Sequence, residues 1–328
     1  MMNGQGKPSG PKRPHAPLNM VPVYKTLEEL KASSPSRAHG LSEEDEERWR
    51  RAAINLMVTA GLTIRMDHCA VLTGLEFFHR FYAEHSMVTN DRFLMAMACM
   101  YLGAKIADFP KSSRDIIYGC VDAMCTTHEE SSRLRNDSEW MKQTRQAIND
   151  AERALLYHLG FRFSWKPAPF TVINILKDKT SGGIGTFLDG YFENKPEEER
   201  GVLSTMCVHL ANESAKIPLN LQYPPEAIAA VCIWLGMKLF KVTATPPALF
   251  DPKTGKAKQW YHMYGVENKD LEIIADQITG SVVGDAEAAH EIISGAVRVV
   301  KTEFINLNSN QQSGGGLLAP PPASAVGR

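Results

Sequence analysis

Residues 98–106 read A-C-M-Y-L-G-A-K-I and residues 231–239 read V-C-I-W-L-G-M-K-L, so Cys, an aromatic, Leu-Gly and Lys recur in register. A pattern repeated at this distance implies two related domains. Each copy lies in a mostly apolar stretch, 93–104 and 227–237, that has no polar face. A helix apolar on every side must be surrounded by protein or lipid. Neither run reaches the ~18 uninterrupted apolar residues that spanning a bilayer needs. Each copy is therefore expected to be the central helix of its own bundle.

The chain of 328 residues, 44% hydrophobic, is long enough to fill two such cores. Lys and Arg total 36 against 37 Asp and Glu. This balance supplies no global field for nucleic acid or an anionic membrane, and any partner is expected to be reached through a local patch. The six cysteines lie mostly inside apolar helical pattern, where free Cys acts as a small hydrophobe, and they point to a reducing compartment. Cys120, Cys125 and His128 could be read as metal ligands, but a fourth ligand at a usual spacing is missing, so no metal is expected. Lys7, Lys12 and Arg13 among prolines are either a weak nuclear-import signal or part of a solvated arm.

Residues 1–25 and 306–328 are rich in Gly and polar residues or Pro and are expected to be disordered. Between them the pattern is helix after helix. Ser42 before an acidic run reads as an N-cap opening a helix to about Thr59, which makes the run a cap rather than a binding site. Further helices are expected from Asp67 to about His85, from Asp91 to Ile106, and from Ser112 or Ser113 to Cys125. A polar loop then leads to a helix over Ser138 to Leu159, ended by Gly160. Residues 163–169, with Pro167 and Pro169, read as a rigid linker. A second set is expected at about 170–177, 196–214, 224–241, 259–264 and 269–283, with one more helix over 286–305. Sustained strand alternation is absent, so the fold class is all-α: two tandem five-helix repeats plus flanking helices.

No phosphate-binding loop, zinc-protease, nucleophile-elbow or dinucleotide fingerprint occurs. The cluster Gly182, Gly183 and Gly185 follows a helix rather than a strand and reads as an interhelical loop. His79 and His158 on apolar faces read as satisfied structural groups rather than catalysts. No cofactor is expected.

Particular residues go beyond the architecture. The run 78–82 (F-H-R-F-Y), the run 101–105 (Y-L-G-A-K) and the D-A-E-R of 150–153 leading to L-G-F at 159–161 resemble the successive signatures of a cyclin box. The resemblance covers residues 26–305, and it divides the chain into a first box with its leading helix, 26–162, and a second, 163–305. L-E-E-L at 27–30, S-P-S-R at 34–37 with Gly40, and L-N-L-Q-Y at 219–223 are similar to cyclins T and K, which activate kinases of RNA polymerase II.

In cyclins, a Lys at the end of the buried helix and a Glu nine residues before the L-G-F aromatic hold the kinase's regulatory helix. The resemblance puts Lys105 and Glu152 in those roles, with Ile106, Leu156 and Phe161 as the apolar centre of the interface. Asp108 alone is left to play the part of the acidic pair that often follows the Lys. From spacing alone, Lys105 reads as a snorkelling lysine and Glu152 as a solvated helix charge. The resemblance thus implies a non-enzymatic nuclear subunit that forms a heterodimer with a cyclin-dependent kinase, without membrane or direct nucleic-acid contact. The alternative is a DNA-binding factor of the IIB type, which also has two cyclin-like repeats; the neutral charge balance and the missing zinc ribbon speak against it.

Overall fold

The structure, a computed structural model, describes residues 24–163, 166–179, 183–244, 246, 249–250 and 257–282. The expectations for the tails and for a helix over 286–305 lie outside the described residues, apart from residues 24 and 25. Two hydrophobic cores are present, one built from residues 53–159 and the other from residues 168–278.

The first unit opens with two short helices, α1 (Leu27–Ala32) and α2 (Pro35–Ala38), which lead into α3 (Glu43–Thr63). Ser42 caps α3 through the amide of Asp45, as expected, and the helix runs four residues beyond Thr59. The acidic run does more than cap. Glu46 is buried, and its carboxylate accepts from Ser34 Oγ at 2.8 Å, Arg37 Nε at 3.0 Å and Arg50 Nη2 at 2.9 Å. A carboxylate so surrounded by donors is fully satisfied. Ser36, also buried, accepts from the Met87 amide at 3.0 Å. The S-P-S-R segment therefore fastens the leading arm onto the bundle.

Helices α4 (His68–Tyr82), α5 (Arg92–Ile106) and α6 (Ser113–Met124) follow, each opened by an Asp or Ser cap. The expected polar loop after α6 is instead a helix, α7 (His128–Asn136). Thr127 caps it, Glu129 and Glu130 occupy its first turn, and Arg133 and Arg135 its last, so charge placement against the helix dipole compensates for its polarity. Ser131 Oγ and Arg135 also reach back to Asp122 on α6. The long α8 (Ser138–Leu159) ends where expected, on Gly160 in the left-handed region at φ 56°. Helix α5 packs on α3, α4, α6 and α8, which accounts for its apolar circumference. Its tightest crossing is with α4: a Cβ added at Gly103 would lie 2.6 Å from Ala70 O and 2.8 Å from Gly74 N.

The second unit comprises α9 (Ala168–Lys177), α10 (Ile184–Phe192), α11 (Glu197–Ser214), α12 (Pro225–Leu239) and α13 (268–282), with 3-10 turns at Pro218–Leu221 and Trp260–Tyr264. Helix α10 was not expected. Gly183 is its N-cap rather than a loop interior, and Gly185 in its first turn lies so close to the Asp178 and Leu176 carbonyls that a Cβ there would strike them. Helix α9 starts two residues early because Pro167 and Pro169 fall at its N-cap and first turn, where proline is tolerated. A two-residue antiparallel ladder, Leu249–Phe250 with Ala257–Lys258, is the one β feature among the described residues. Helix α12 packs on α9, α11 and the Trp260–Tyr264 turn, as α5 does on its own neighbours.

The repeat extends to single hydrogen bonds. At the end of α5, the Ala107, Asp108 and Phe109 amides donate to Gly103, Lys105 and Ala104 carbonyls. At the end of α12, the Phe240, Lys241 and Val242 amides donate to Gly236, Lys238 and Met237 carbonyls. Asp108 and Lys241, equivalent in sequence, both adopt the left-handed conformation, at φ 56° and 59°. The two units meet along α4, where Glu76 accepts from Asn220, His79 Nε2 contacts Ala215 O at 3.1 Å, and His68 Nε2 contacts Asn212 Oδ1 at 2.8 Å.

Candidate functional site

Lys105 is in the last turn of α5, and Glu152 is in the middle of α8, one turn before Leu156. Packing of α5 against α8 brings them together, and Lys105 Nζ donates to Glu152 Oε1 at 2.7 Å and Oε2 at 2.9 Å. The two residues expected to grip a partner therefore grip each other in the free chain. The environment is uneven: the Lys105 side chain is 40% exposed, that of Glu152 only 11%. The ammonium also lies 3.9 Å from the Tyr101 ring centroid, one turn back, which adds a cation–π contact. Lys105 is thus neither a free snorkelling lysine nor Glu152 a solvated helix charge.

Around this pair the helix ends expose apolar groups. Ile106 closes α5, and Phe161 follows Gly160 in the left-handed region and is 69% exposed. Leu156 is half-buried, and its side chain packs against the first core. Asp108 is exposed at the left-handed position that ends α5. All six expected residues thus lie at the ends of α5 and α8 or on the adjoining face of α8. Two more belong with them. Tyr157, next to Leu156, is 80% exposed, and Phe109, next to Asp108, is well exposed. An aromatic on the outer face of an amphipathic helix, out of step with the buried Ala151, Leu155 and Leu159, was the available signal for Tyr157.

Beside Tyr157, His158 Nδ1 meets His85 Nε2 at 3.1 Å, with Glu84 3.7 Å away. Burial lowers the pKa of both imidazoles, only partly opposed by Glu84. Neutral rings can share that single N–H, so both stay structural. Cys120 is wholly buried, and burial pushes its thiol up to about 12, so it sits in the core as a neutral apolar group. Among the described residues no cluster of three potential metal ligands occurs, and no helix is long and apolar enough to cross a membrane.

The second repeat lacks this arrangement. Lys238 is exposed, with Trp234 5.5 Å from its ammonium, and among the described residues no carboxylate pairs with it.

Residues 22–164 match the cyclin N-terminal domain. Curated relatives include Cyclin-T1-5 of Arabidopsis thaliana, 25% identical over 256 residues, which are 78% of this chain and 40% of the relative. Cyclin-L1 of Homo sapiens is 26% identical over 248 residues, 75% of this chain and 42% of the relative. The chain spans about two fifths of the length of these relatives. In fold it is similar to a chain of the yeast RNA Pol II CTD kinase CTDK-1 complex, with a TM-score of 0.56 at 14% identity, covering 91% of this chain and 86% of that one. A chain of the Chaetomium thermophilum CAK complex bound to ATP-gamma-S gives the same TM-score at 10% identity, covering 92% and 94%. With the signature residues gathered where α5 meets α8 and the whole first bundle matched, the chain carries a cyclin N-terminal domain over residues 22–164.

Proposed function

We propose that this chain is the activating regulatory subunit of a cyclin-dependent kinase that phosphorylates RNA polymerase II, and that it acts in the nucleus. The observation that carries the reading is the Lys105–Glu152 pair with exposed Ile106, Phe109 and Phe161 at the adjoining helix ends and Tyr157 on the outer face of α8. Apolar side chains around a charged pair form the kind of patch that docks a helix: aromatic anchors supply desolvated area, and the charges meet backbone groups at the helix end. The likeness to a chain of the RNA Pol II CTD kinase CTDK-1 complex, and to the T and L relatives, supports the substrate.

On this reading the kinase supplies the chemistry. The cyclin need only bind the active arrangement of the kinase's mobile helix more tightly than the inactive one. Moving that equilibrium from 1:99 to 99:1 takes ~5.5 kcal/mol of differential binding, within reach of an interface of ~2,000 Å². The reading takes residues 26–162 as the docking box with its leading helix and 163–305 as the second box. The test is affinity capture with the full chain, identification of any kinase retained, and assay of that kinase on a polymerase-tail peptide with and without the chain. Retention of a kinase whose activity rises is expected; a chain that retains no kinase, or retains one without activating it, overturns the reading.

A further inference from the structure

A second polar site lies on the first repeat, away from Lys105. Helices α6, α7 and the first half of α8 enclose a groove of about 550 Å³, a size that small ligands fill. Its cations are Arg114 from α6, Arg135 from α7, and Lys142 and Arg145 from α8, and no carboxylate lines it. In a chain of net charge −1 this is a pronounced local excess. Arg135 pairs with Asp122 through Nη2, but its Nε is buried and has no hydrogen-bond partner. Among the described residues Lys142 and Arg145 pair with no carboxylate, and at i, i+3 on one helix they repel each other. An anion in the groove would give the Arg135 N–H an acceptor and offset the like charges of Lys142 and Arg145.

We infer that this groove binds a phosphorylated serine or threonine of a peptide segment. A phosphate monoester brings close to two negative charges and three acceptor oxygens, which match guanidinium forks better than a single carboxylate does. Nucleic acid fits less well. The basic surface is confined to the groove, and the one aromatic there, Tyr118, already has the Arg114 and Arg135 guanidiniums 5.1 and 4.9 Å from its ring centroid. Base stacking needs an open ring face and a longer cationic track.

The groove's position connects it with the docking site. Ser138, Lys142, Arg145, Asn149, Glu152 and Leu156 follow one another at alternating spacings of four and three along α8, so they form one stripe. Arg145 is two turns, ~10 Å, from Glu152. A phosphorylated segment in the groove would thus lie beside whatever docks on Lys105 and Glu152. This placement rests on the proposed kinase docking; the phosphate binding itself does not.

The probe is a fluorescein-labelled peptide with one phosphoserine, titrated against the full chain by anisotropy, beside its unphosphorylated twin and a single-stranded RNA oligonucleotide. The phosphopeptide should bind roughly tenfold or more tighter than its twin and be displaced by inorganic phosphate. The double variant Lys142→Ala/Arg145→Ala, exposed and outside the docking pair, should lose that preference with an unchanged melting temperature. Equal binding of both peptides, tighter binding of RNA than of phosphopeptide, or a preference untouched by the double variant overturns the inference. With a captured kinase, phosphatase treatment of the kinase and pre-phosphorylation of the substrate peptide form separate arms. Loss of variant sensitivity in the first assigns the phosphate to the kinase; a KM advantage that appears only in the second and vanishes in the variant assigns it to the substrate.

Discussion

Lys105 Nζ and the two oxygens of Glu152 form a closed bidentate pair that ties the end of α5 to the middle of α8 before any partner arrives. The Glu152 side chain is nearly buried while that of Lys105 is two-fifths exposed. Lys105 is therefore held in place by Glu152 and Tyr101 while part of its side chain faces solvent. Docking on such a pair adds contacts to an ordered group rather than ordering a mobile one.

The pair makes the internal repeat a control. Lys105→Ala should weaken kinase binding by ~2 to 5 kcal/mol, the usual cost of truncating one member of a desolvated charged contact. Lys238→Ala, which removes an unpaired exposed lysine, should leave binding nearly unchanged. Lys105→Ala should also lower the melting temperature, because Glu152 is left buried without its partner, and Lys105→Ala/Glu152→Gln should recover part of that loss. Calorimetric binding and thermal melts on all three variants read both effects. Equal binding losses for Lys105→Ala and Lys238→Ala would place the kinase elsewhere.

Tyr157→Ala separates docking from folding more cleanly. The side chain is largely exposed, so stability should move by less than ~0.5 kcal/mol, while kinase affinity should fall by ~1 to 2 kcal/mol if the ring is an anchor. A variant that melts and binds as the parent does would remove Tyr157 from the interface.

The contact between repeats should respond to pH in two opposite ways. Burial raises the Glu76 carboxyl from 4.5 to about 7, with Arg80 and Asn220 pulling it down. The folded state holds this proton more tightly, so the contribution is complete below pH 4.5 and is lost as pH rises through about 7. Burial, aided by Arg50, lowers the His79 imidazole from 6.5 to about 3. Its contribution is complete above pH 6.5 and falls away as pH drops toward 3. Glu76→Gln should gain stability relative to the parent as pH rises from 5 to 8, by up to about 3 kcal/mol. Denaturant melts across that range check it, and a constant difference between parent and variant would show that Glu76 does not titrate in the folded chain.

Glycine substitutions should sort by the space around them. Gly103→Ala forces α5 away from the Ala70 carbonyl and Gly74, and should cost about 1 to 3 kcal/mol or more. Gly201→Ala, in α11 with nothing within 4 Å of the added carbon, should be neutral or stabilise by up to about 1 kcal/mol. Chemical denaturation should show a lowered midpoint for Gly103→Ala and an unchanged or raised one for Gly201→Ala.

Local chemistry determined a good deal by itself. Apolar stretches without a polar face required buried central helices. Ser42, Asp91, Ser112 and Gly160 marked helix ends through hydrogen bonds made within a few residues, which is why those ends were legible. Helices α7 and α10 were not legible, because each is short and set by packing outside itself, α7 by its bonds to Asp122 and α10 by its close approach to the end of α9 at Gly185. The candidate site divides in the same way. Lys105, Ile106, Glu152, Leu156 and Phe161 could be named from their signatures. That Lys105 and Glu152 bind each other, and that Tyr157 and Phe109 are exposed, depended on how α5 and α8 cross, and that Lys238 has no such partner depended on the packing of α12. A pairing across 47 residues is set by the packing of two helices, and no spacing along one chain encodes it.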